Sequence, residues 1–430
     1  MFLIGKLTQL LIPFFRCLQP LFEKRQFPHF WRLVVAIALS EGRKTVAGLH
    51  RLLLNAPYAQ RLVDFLSVSR WDPGPVLQRA ALFIVRKLGW RPGQRIDLLL
   101  DGSKTHKRGK TMEAAHLYFD HVVSRTVFGH QFVVACLRYR GVVIPWAIRL
   151  YRSEAYCRKK WGRQWKLHFR SQNDLAAEII VALPGELTGD YVRALFDSAF
   201  LCEKVVGACD AQNLRFISVA KTNRTFIPDR GKERAGVQGG VKTNKKVVGS
   251  YGPGVVRYEG KEVELPGYRG PQKFRVAERV GLLSKVGRVK LVFSKRVRDG
   301  AFIILVTNDL ALSAKDVVQG YRARWGIECW FKIAKQHLGL GDYQVVPEAG
   351  VEHHLHLCAI AYLLLIHLGL KRLGEAKNNQ DDAAIGSVPE LKAALRDHLA
   401  ADHLLKITKE FGTSPALQAV EDRMILTKFR

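Results

Sequence analysis

The feature that most constrains the fold is a change in the spacing of apolar residues near Arg95. Before this point apolar residues recur at helical spacing, as in WRLVVAIALS and PVLQRAALFIVRKLG. After it, runs such as IDLLLDGS and TVFGHQFVVACLRYR have the composition of strands. The change predicts a helical region of about 92 residues followed by a domain built on a sheet.

Beyond Arg95, predicted strands and helices alternate. The run VVIPWAIRLYR should pair with the preceding strand across Gly141 in an antiparallel meander. A helix with Ser171 as its cap should follow. After it come a strand, a helix and a strand, namely YVRALFDSAF, CEKVVGACDAQ and LRFISVAK. This alternation predicts a mixed α/β sheet.

The segment 222–300 has a different composition. It is rich in Gly, Lys, Arg and Val and poor in helix formers, which predicts a β-rich insertion with a strongly basic surface. AFIILVTN follows as a buried strand. Ser313, with Asp316 in the capping-box position, should begin a long helix that runs to Gly339. Residues 350–372 and about 45 residues at the end of the chain are also predicted to be helical.

The charge balance indicates the kind of partner. The chain has 68 Lys and Arg against 38 Asp and Glu, a formal net charge of +30. Such an excess repels itself in a compact fold, and its usual reason is a polyanion such as nucleic acid. The alternative is a solvated basic surface on an ordinary enzyme. A hydrophobic content of 48% excludes a disordered polycation.

The cysteines indicate a reducing compartment. There are seven, an odd number without a CxxC pair, which favours reduced thiols in a cytoplasmic protein over a disulfide framework or a zinc site. His353, His354, His356 and Cys358 cluster in an apolar helical run, so we favour packing over metal binding for them.

The first 22 residues are apolar enough to resemble a signal peptide. They contain Lys6, Pro13 and Arg16 and lack a small-residue cleavage site, which favours an amphipathic packing helix. No segment reaches roughly 18 uninterrupted apolar residues, so we predict no membrane span.

The helix after Ser313 carries an unusual set of polar residues. Tyr321, Arg324, Glu328 and Lys335 are spaced by three, four and seven, so on one continuous helix they share a side, together with Lys332. A Glu among cations is usually part of a solvated ion-pair face. Apolar residues argue against that alternative because they predict a largely buried helix; they are Trp325, Ile327, Trp330 and Phe331.

Two aspartates are candidate partners for Glu328. Asp101 and Asp197 are each predicted at the end of an apolar strand, where Asp has few structural uses. Capping of a following helix is the alternative, and it is credible for Asp197. Asp101 precedes a basic turn that is more typical of a phosphate-facing loop. Asp97 shares a strand face with Asp101 and is its rival. Three carboxylates suffice for two Mg²⁺ ions about 4 Å apart when substrate phosphate supplies further ligands.

The spacing of Tyr321, Arg324, Glu328 and Lys335 resembles the Y-(2)-R-(3)-E-(6)-K signature of bacterial insertion-sequence transposases of the fourth insertion-sequence family. The segments KQHLGLGDYQ, LVTN and LLLDGSKTHKRGK are also similar to that family. The resemblance covers roughly residues 95–345, and the two Asp positions are matched by strand placement.

The resemblance implies an RNase H-like DDE transposase with a β-rich insertion between the second Asp and the Glu. It implies that Asp101, Asp197 and Glu328 hold two Mg²⁺ or Mn²⁺ ions, and that Tyr321, Arg324 and Lys335 grip the DNA backbone. We add Lys332, Lys104, Lys107 and Arg108 as DNA-binding candidates. The partner would be double-stranded DNA at element ends and target, bound by a homodimer in the bacterial cytoplasm near the nucleoid.

The expected organisation has five regions. They are a helical DNA-binding region (1–92), the first part of an RNase H-like catalytic domain (93–221), the basic β-rich insertion (222–300), the second part of the catalytic domain (301–345) and a C-terminal helical region (346–430). Within the first region, 44–65 could hold a helix-turn-helix with its turn at Asn55 to Pro57, and a plain helical bundle fits equally well.

One departure from the family leaves a step open. Members that cleave through a DNA hairpin commonly use a Trp in the insertion to stack a base, and 222–300 contains none. The possible substitutes are Tyr251, Tyr258, Tyr268 and Phe274. Two other functions remain as alternatives: a catalytically inactive, transposase-derived DNA-binding protein, and a general RNase H-like nuclease.

Overall fold

The protein is represented by a computed structural model that describes most of the chain. The described residues are 7–53, 58–109, 111–120, 122–159, 168–229, 246–248, 256–257, 259–267, 270–375 and 385–411.

The N-terminal region is helical, as the apolar spacing predicts. Its helices are α1 (Ile12–Arg16), α2 (Phe27–Leu39), α3 (Val46–His50), α4 (Ala59–Ser67) and α5 (Pro73–Lys87). The α5 helix begins at Pro73, because the Asp72 carboxylate accepts the Gly74 N–H at 3.0 Å and Pro73 occupies the first turn. The turn of the suggested helix-turn-helix, Asn55 to Pro57, lies outside the described residues.

A large mixed sheet forms the centre of the molecule. Its strands are β1 (Ile96–His106), β2 (His116–Asp120), β3 (Arg125–Tyr139), β4 (Val142–Tyr151), β5 (Val192–Leu195), β6 (Arg215–Val219), β7 (Thr225–Pro228), β8 (Lys246–Val247), β9 (Lys261–Leu265), β10 (Gln272–Leu283), β11 (Gly287–Arg296) and β12 (Phe302–Thr307). The order of the main path is β2-β3-β1-β5-β6-β12-β11-β10-β7-β8, with β4 also paired to β3 and β9 to β10. Strands β1, β5 and β6 are parallel, and the other pairs are antiparallel. The predicted mixed α/β sheet is confirmed.

Helices flank this sheet along the rest of the chain. They are α6 (Glu154–Arg158), α7 (Gln172–Val181), α8 (Glu203–Ala211), α9 (Ala314–Arg322), α10 (Trp325–His337), α11 (Glu348–Glu375) and α12 (Val388–Phe411). Ser171 and Asp174 form a capping box at the start of α7, as predicted. The β3–β4 hairpin turns at Arg140 and Gly141, whose φ angles of 47° and 77° suit a two-residue turn of the primed type.

The segment 222–300 is β-rich in its described part. Strands β7 to β11 lie between β6 and β12 in the chain, and β11 pairs with β12, so they extend the central sheet. Its described surface is mixed in charge, since several cations have acidic partners. The pairs are Arg279–Glu259, Arg288–Asp229 and Arg296–Asp299.

The prediction of one long helix from Ser313 to Gly339 is wrong. Ser313 does cap the start, and Gly339 has the positive φ of a helix stop (68°), but the chain forms two helices, α9 and α10. Between them the N–H groups of Ala323 and Arg324 bond to carbonyls three residues earlier, at 3.1 and 3.0 Å. This tight turn ends α9, so helical spacing alone does not place Tyr321 on the side of Glu328.

Helix α11 is a core helix. Three of its histidine rings and its thiol contact main-chain carbonyl oxygens. His353 contacts those of Leu66 and Trp71, and His354 contacts that of Gly339. His356 contacts the Glu352 carbonyl, and Cys358 contacts the Leu338 carbonyl. These contacts are those of packing residues, as we favoured. Within the described residues one helical segment, Glu348–Arg372, is long and apolar enough to cross a membrane, but 94% of its most apolar window is buried inside the protein.

The β1–β3 pair leaves no room for a side chain at Gly129. A Cβ atom there would lie 1.9 Å from the Thr105 carbonyl oxygen, which is backbone and cannot move aside cheaply. We expect Gly129→Ala to lower the free energy of unfolding by about 1–3 kcal/mol, measured by chemical denaturation. The control is Gly42→Ala, where nothing lies within 4 Å. Equal stability of the two variants would contradict the close approach.

Candidate active site

Asp101 lies within strand β1 and not at its end. It is the sixth of eleven residues, and β1 continues to His106 because β3 pairs with it as far as Gly129. The prediction of a strand end followed by a basic turn is therefore wrong. The Asp101 side chain is 18% exposed, and its Oδ1 accepts the Gly102 N–H at 2.8 Å.

Asp197 follows strand β5, as predicted. Its Oδ1 accepts the N–H groups of Ala199 and Phe200 at 2.9 and 3.4 Å, which fixes a turn. The next helix, α8, begins at Glu203 with Cys202 at its cap position, so Asp197 does not cap it. The carboxylate therefore shapes the loop at the strand's carboxyl end.

The parallel pairing of β1 with β5 brings the two aspartates to the same level. The last registered pair is Leu99 with Leu195. Two residues further on, the same register places Asp101 beside Asp197. Both carboxylates therefore emerge near one another where β5 ends.

Glu328 reaches this place from the first turn of α10. Its carboxylate is 31% exposed and accepts a hydrogen bond from Arg324 Nη2. Arg324 Nη1 donates to Asp101 Oδ2 at 3.0 Å. One guanidinium thus joins the strand aspartate to the helix glutamate.

The three carboxylates influence one another electrostatically. Burial raises the pKa of Asp101 to about 6, the charge of Arg324 opposes the rise, and the charges of Asp197 and Glu328 add to it. Like charges so close together need a cation, and Arg324 supplies one in this structure.

The three carboxylates have suitable donor atoms for a divalent metal, but their arrangement in this structure is not yet that of a metal site. Three carboxylates are the hard oxygen donors that Mg²⁺ and Mn²⁺ prefer. Yet among the residues that the structure describes, no three His, Cys, Asp or Glu side chains are already grouped to hold an ion. The guanidinium of Arg324 lies between two of the three donors.

Asp97, the rival of Asp101, is engaged elsewhere. Arg193 binds its Oδ1 through Nε and Nη2 at 2.9 and 2.7 Å, and Arg138 lies 3.5 Å from its Oδ2. Asp97 is only 5% exposed. It forms a buried ion-pair network between β1, β3 and β5, which does not favour it as a metal ligand.

A second polar cluster lies further along β1. The Asp120 carboxylate, 3% exposed, binds Lys104 Nζ at 2.8 Å and His106 Nε2 at 2.6 Å. The hydrogen bond from Lys104 holds the pKa of Asp120 well below its usual range. Desolvation and then the charge of Lys104 lower the pKa of Lys335, so its ammonium also lies nearby. No local sequence pattern indicates His106 or Asp120, because their contact depends on the β1–β3–β2 pairing.

The cations predicted to bind DNA divide into two groups. Lys332, Lys335 and Arg108 are exposed. Lys107 instead turns inward, where its ammonium donates to the Gly341 and Tyr343 carbonyls at 2.7 and 2.8 Å and lies 3.2 Å from the Tyr343 ring centre. Burial lowers its pKa to about 7. This placement makes Lys107 a link between β1 and the segment after α10.

Two aromatic residues flank Arg324. The Tyr321 ring lies 5.7 Å from the Arg324 guanidinium and is partly buried. Trp325 is 62% exposed, so the prediction that it is buried in the helix is wrong. The other three apolar residues of that prediction are buried, namely Ile327, Trp330 and Phe331. Trp325 is the first residue of α10, directly after the turn, and its ring is exposed to solvent.

Comparison with known proteins identifies two overlapping matches. The family model described as DDE superfamily endonuclease matches residues 13–249, more than half of the chain. The model described as Transposase DDE domain matches residues 163–364. The first range contains Asp101 and Asp197, and the second contains Asp197 and Glu328. No curated protein matches the chain.

The inward position of Lys107 gives a test that separates folding from DNA contact. We expect Lys107→Met to lower the free energy of unfolding by about 1–3 kcal/mol, because two carbonyls lose their donor. It should leave the salt dependence of binding to a random DNA duplex unchanged. Chemical denaturation and binding titrations at several salt concentrations measure the two effects.

The matched control is Lys332→Met, at an exposed position of α10. We expect it to reduce the logarithmic salt slope by about 0.9 if Lys332 neutralises one phosphate, with stability nearly unchanged. A salt slope that falls in Lys107→Met as well would mean that the Lys107 ammonium reaches DNA.

Proposed function

The chain belongs to the DDE superfamily of endonucleases, and from this premise we propose that it is a metal-dependent DNA transposase that cleaves element ends and joins them to target DNA. One observation carries the proposal. Asp101 on β1 and Glu328 on α10, far apart in the chain, share one guanidinium, and the charges of Asp197 and Glu328 both act on Asp101. A net charge of +30 supports a DNA substrate.

Asp101, Asp197 and Glu328 would hold two Mg²⁺ ions, for which Mn²⁺ is a substitute. When bound, such ions supply the activation of the attacking oxygen and the stabilisation of the leaving one. The protein's part is to present the carboxylates from fixed elements. The β1–β5 pairing fixes the aspartates, the turn at Ala199 and Phe200 orients Asp197, and the start of α10 positions Glu328.

The DNA backbone would run over the face that carries these groups. Arg324 and Tyr321 would contact the phosphate nearest the carboxylates, and the exposed Lys332, Lys335 and Arg108 would hold phosphates further away. Lys104, held by Asp120, would add to them. The exposed ring of Trp325, which follows Arg324 in the chain, is a surface against which a base could stack.

The reaction has two phosphoryl transfers. In the first, the oxygen of a water attacks phosphorus at the element end, the P–O3′ bond breaks, and the 3′-oxygen leaves with a proton as a free hydroxyl. In the second, that hydroxyl loses its proton and attacks another phosphodiester, either on the opposite strand or in target DNA. The oxygen of the attacked strand leaves, so the number of phosphodiester bonds is conserved in this step.

We propose four further properties of the protein. They are membership of the fourth insertion-sequence family, the role of 222–300 as a dedicated insertion, a homodimer on two synapsed ends, and action in the bacterial cytoplasm. The Tyr321–Arg324–Glu328–Lys335 spacing supports the first, and the strands β7 to β11 between Asp197 and Glu328 support the second.

A general nuclease is the second candidate, favoured by the endonuclease description of the matching superfamily. The two functions differ in products. A transposase joins the freed 3′ end to a second DNA and prefers the inverted repeats that flank its gene. A general nuclease only hydrolyses DNA, and it cleaves a random duplex as well as one that carries the repeats. Strand-transfer assays with both substrates would separate them.

Asp101→Asn tests the proposed ligand set. We expect at least a thousandfold loss of Mg²⁺-dependent cleavage of a duplex that carries the flanking repeats, because a neutral amide is a poor ligand for a hard cation. DNA affinity should change little. Nicking assays and binding titrations measure the two effects.

The control is Asp97→Asn on the same strand. It removes a charge from the pair with Arg193, so we expect lower stability and retained cleavage below the melting temperature. Cleavage that survives in Asp101→Asn but disappears in folded Asp97→Asn would transfer the role to Asp97.

A further inference from the structure

Arg324 forms an ionic bridge inside the candidate active site. Its two terminal nitrogens divide between two carboxylates, Nη1 with Asp101 at 3.0 Å and Nη2 with Glu328. The bridge joins parts of the chain that are distant in sequence, since Asp101 and Arg324 are 223 positions apart. The Arg324 side chain is only 15% exposed, so the bridge is largely shielded from water.

The bridge offsets the cost of gathering carboxylates in a half-buried place. The carboxylates of Asp101 and Glu328 are both partly shielded from water, and both are directed at the Arg324 guanidinium. A guanidinium forms strong charge-assisted hydrogen bonds with carboxylates and remains charged throughout the accessible pH range. Arg324 therefore stabilises the site in the absence of another cation.

The same two nitrogens are the ones that a DNA phosphate would use. A phosphate prefers the forked donors of an arginine, and the exposed fraction of Arg324 gives it a route of approach. The bridge engages an N–H on each terminal nitrogen, and the 15% exposure of the side chain leaves the rest of the fork little room for a phosphate while the guanidinium stays between the carboxylates. Phosphate binding and the ionic bridge therefore compete for Arg324.

We propose that Arg324 couples divalent-cation binding to DNA binding, by occupying the carboxylates when DNA is absent and releasing them when a phosphate engages its guanidinium. The inference rests on the proposed function, since it takes Asp101 and Glu328 as cation ligands. Arg324 is then a positioning residue that keeps the DNA-free enzyme weak in metal affinity. In agreement with this role, the residues that the structure describes include no group of three acidic side chains already arranged to hold a metal.

Thermodynamic linkage makes the coupling measurable from either side. If DNA raises the affinity for the cation by some factor, the cation raises the affinity for DNA by the same factor, and such factors are typically about 5- to 150-fold. Removing Arg324 should abolish most of the factor. It should also raise the affinity for the cation in the absence of DNA, which an arginine that merely supports the site would not do.

The experiment measures binding of Mn²⁺ to the full-length protein, by the electron paramagnetic resonance signal of the free ion, with and without a 20-base-pair duplex. The main variant is Arg324→Gln, which removes the charge. Arg324→Lys keeps the charge but cannot bridge two carboxylates with one planar group. Arg322→Gln is the matched control, because Arg322 donates to the Pro266 carbonyl at 2.6 Å and not to the carboxylates. Melting curves confirm that each variant is folded.

For the wild type and Arg322→Gln we expect weak Mn²⁺ binding that DNA strengthens by about tenfold or more. For Arg324→Gln we expect binding about tenfold tighter than wild type without DNA, and a DNA effect below about threefold; Arg324→Lys should be intermediate. Unchanged or weaker Mn²⁺ binding in DNA-free Arg324→Gln would overturn the inference, as would an undiminished DNA effect.

Asp101→Asn separates this inference from the proposed function. If it abolishes Mn²⁺ binding while Arg324→Gln leaves the affinity unchanged, the carboxylates are the ligands and only the coupling role of Arg324 is wrong. If Mn²⁺ binding is equal in wild type and Asp101→Asn, with and without DNA, the ligand assignment fails and the proposed function fails with it.

Discussion

The parallel pairing of β1 with β5 is the interaction on which the site depends. Hydrogen bonds between these strands set the register from Ile96 to Leu99, and that register alone decides which acidic residues stand side by side. A shift by one residue would direct Asp101 to the opposite face of the sheet and place an apolar side chain beside Asp197. The buried network of Asp97 with Arg193 and Arg138 opposes such a shift. It joins β1 to both neighbouring strands four residues before Asp101.

Charge compensation is the second constraint. The fold buries acidic groups in several places, and in each the described contacts provide cations from a different element: Arg193 for Asp97, Lys104 for Asp120 and Arg324 for Asp101. In the first two places the cations meet a single carboxylate. In the third, one guanidinium meets two carboxylates, those of Asp101 and Glu328, and the charge of Asp197 also acts on Asp101. That difference supports the proposal that the Asp101 cluster binds exchangeable cations.

The sequence predicted the parts that local spacing determines and missed those that depend on distant partners. The alternation of strands and helices, the caps at Ser171 and Ser313, and the position of Asp197 after β5 were correct. Asp101 was placed at a strand end because the long partner β3, which extends β1 to His106, is not visible in a local pattern. The turn residues Ala323 and Arg324 are themselves good helix formers, so the apolar spacing predicts a continuous helix with Trp325 buried. Lys107 was expected in solvent because the ring and carbonyls that draw it inward belong to a segment more than 200 residues later.

The continuity of the sheet has a consequence for how such a chain can change in evolution. Because β12 pairs with β6 on one side and with β11 on the other, the strands from the middle of the chain are joined through β12 and β6 to β5 and β1, which position the aspartates. Excision of that middle part would leave β12 with a row of unpaired amides, an edge that invites aggregation. Length variation among related chains should therefore accumulate in the connections between these strands, with the strands themselves retained.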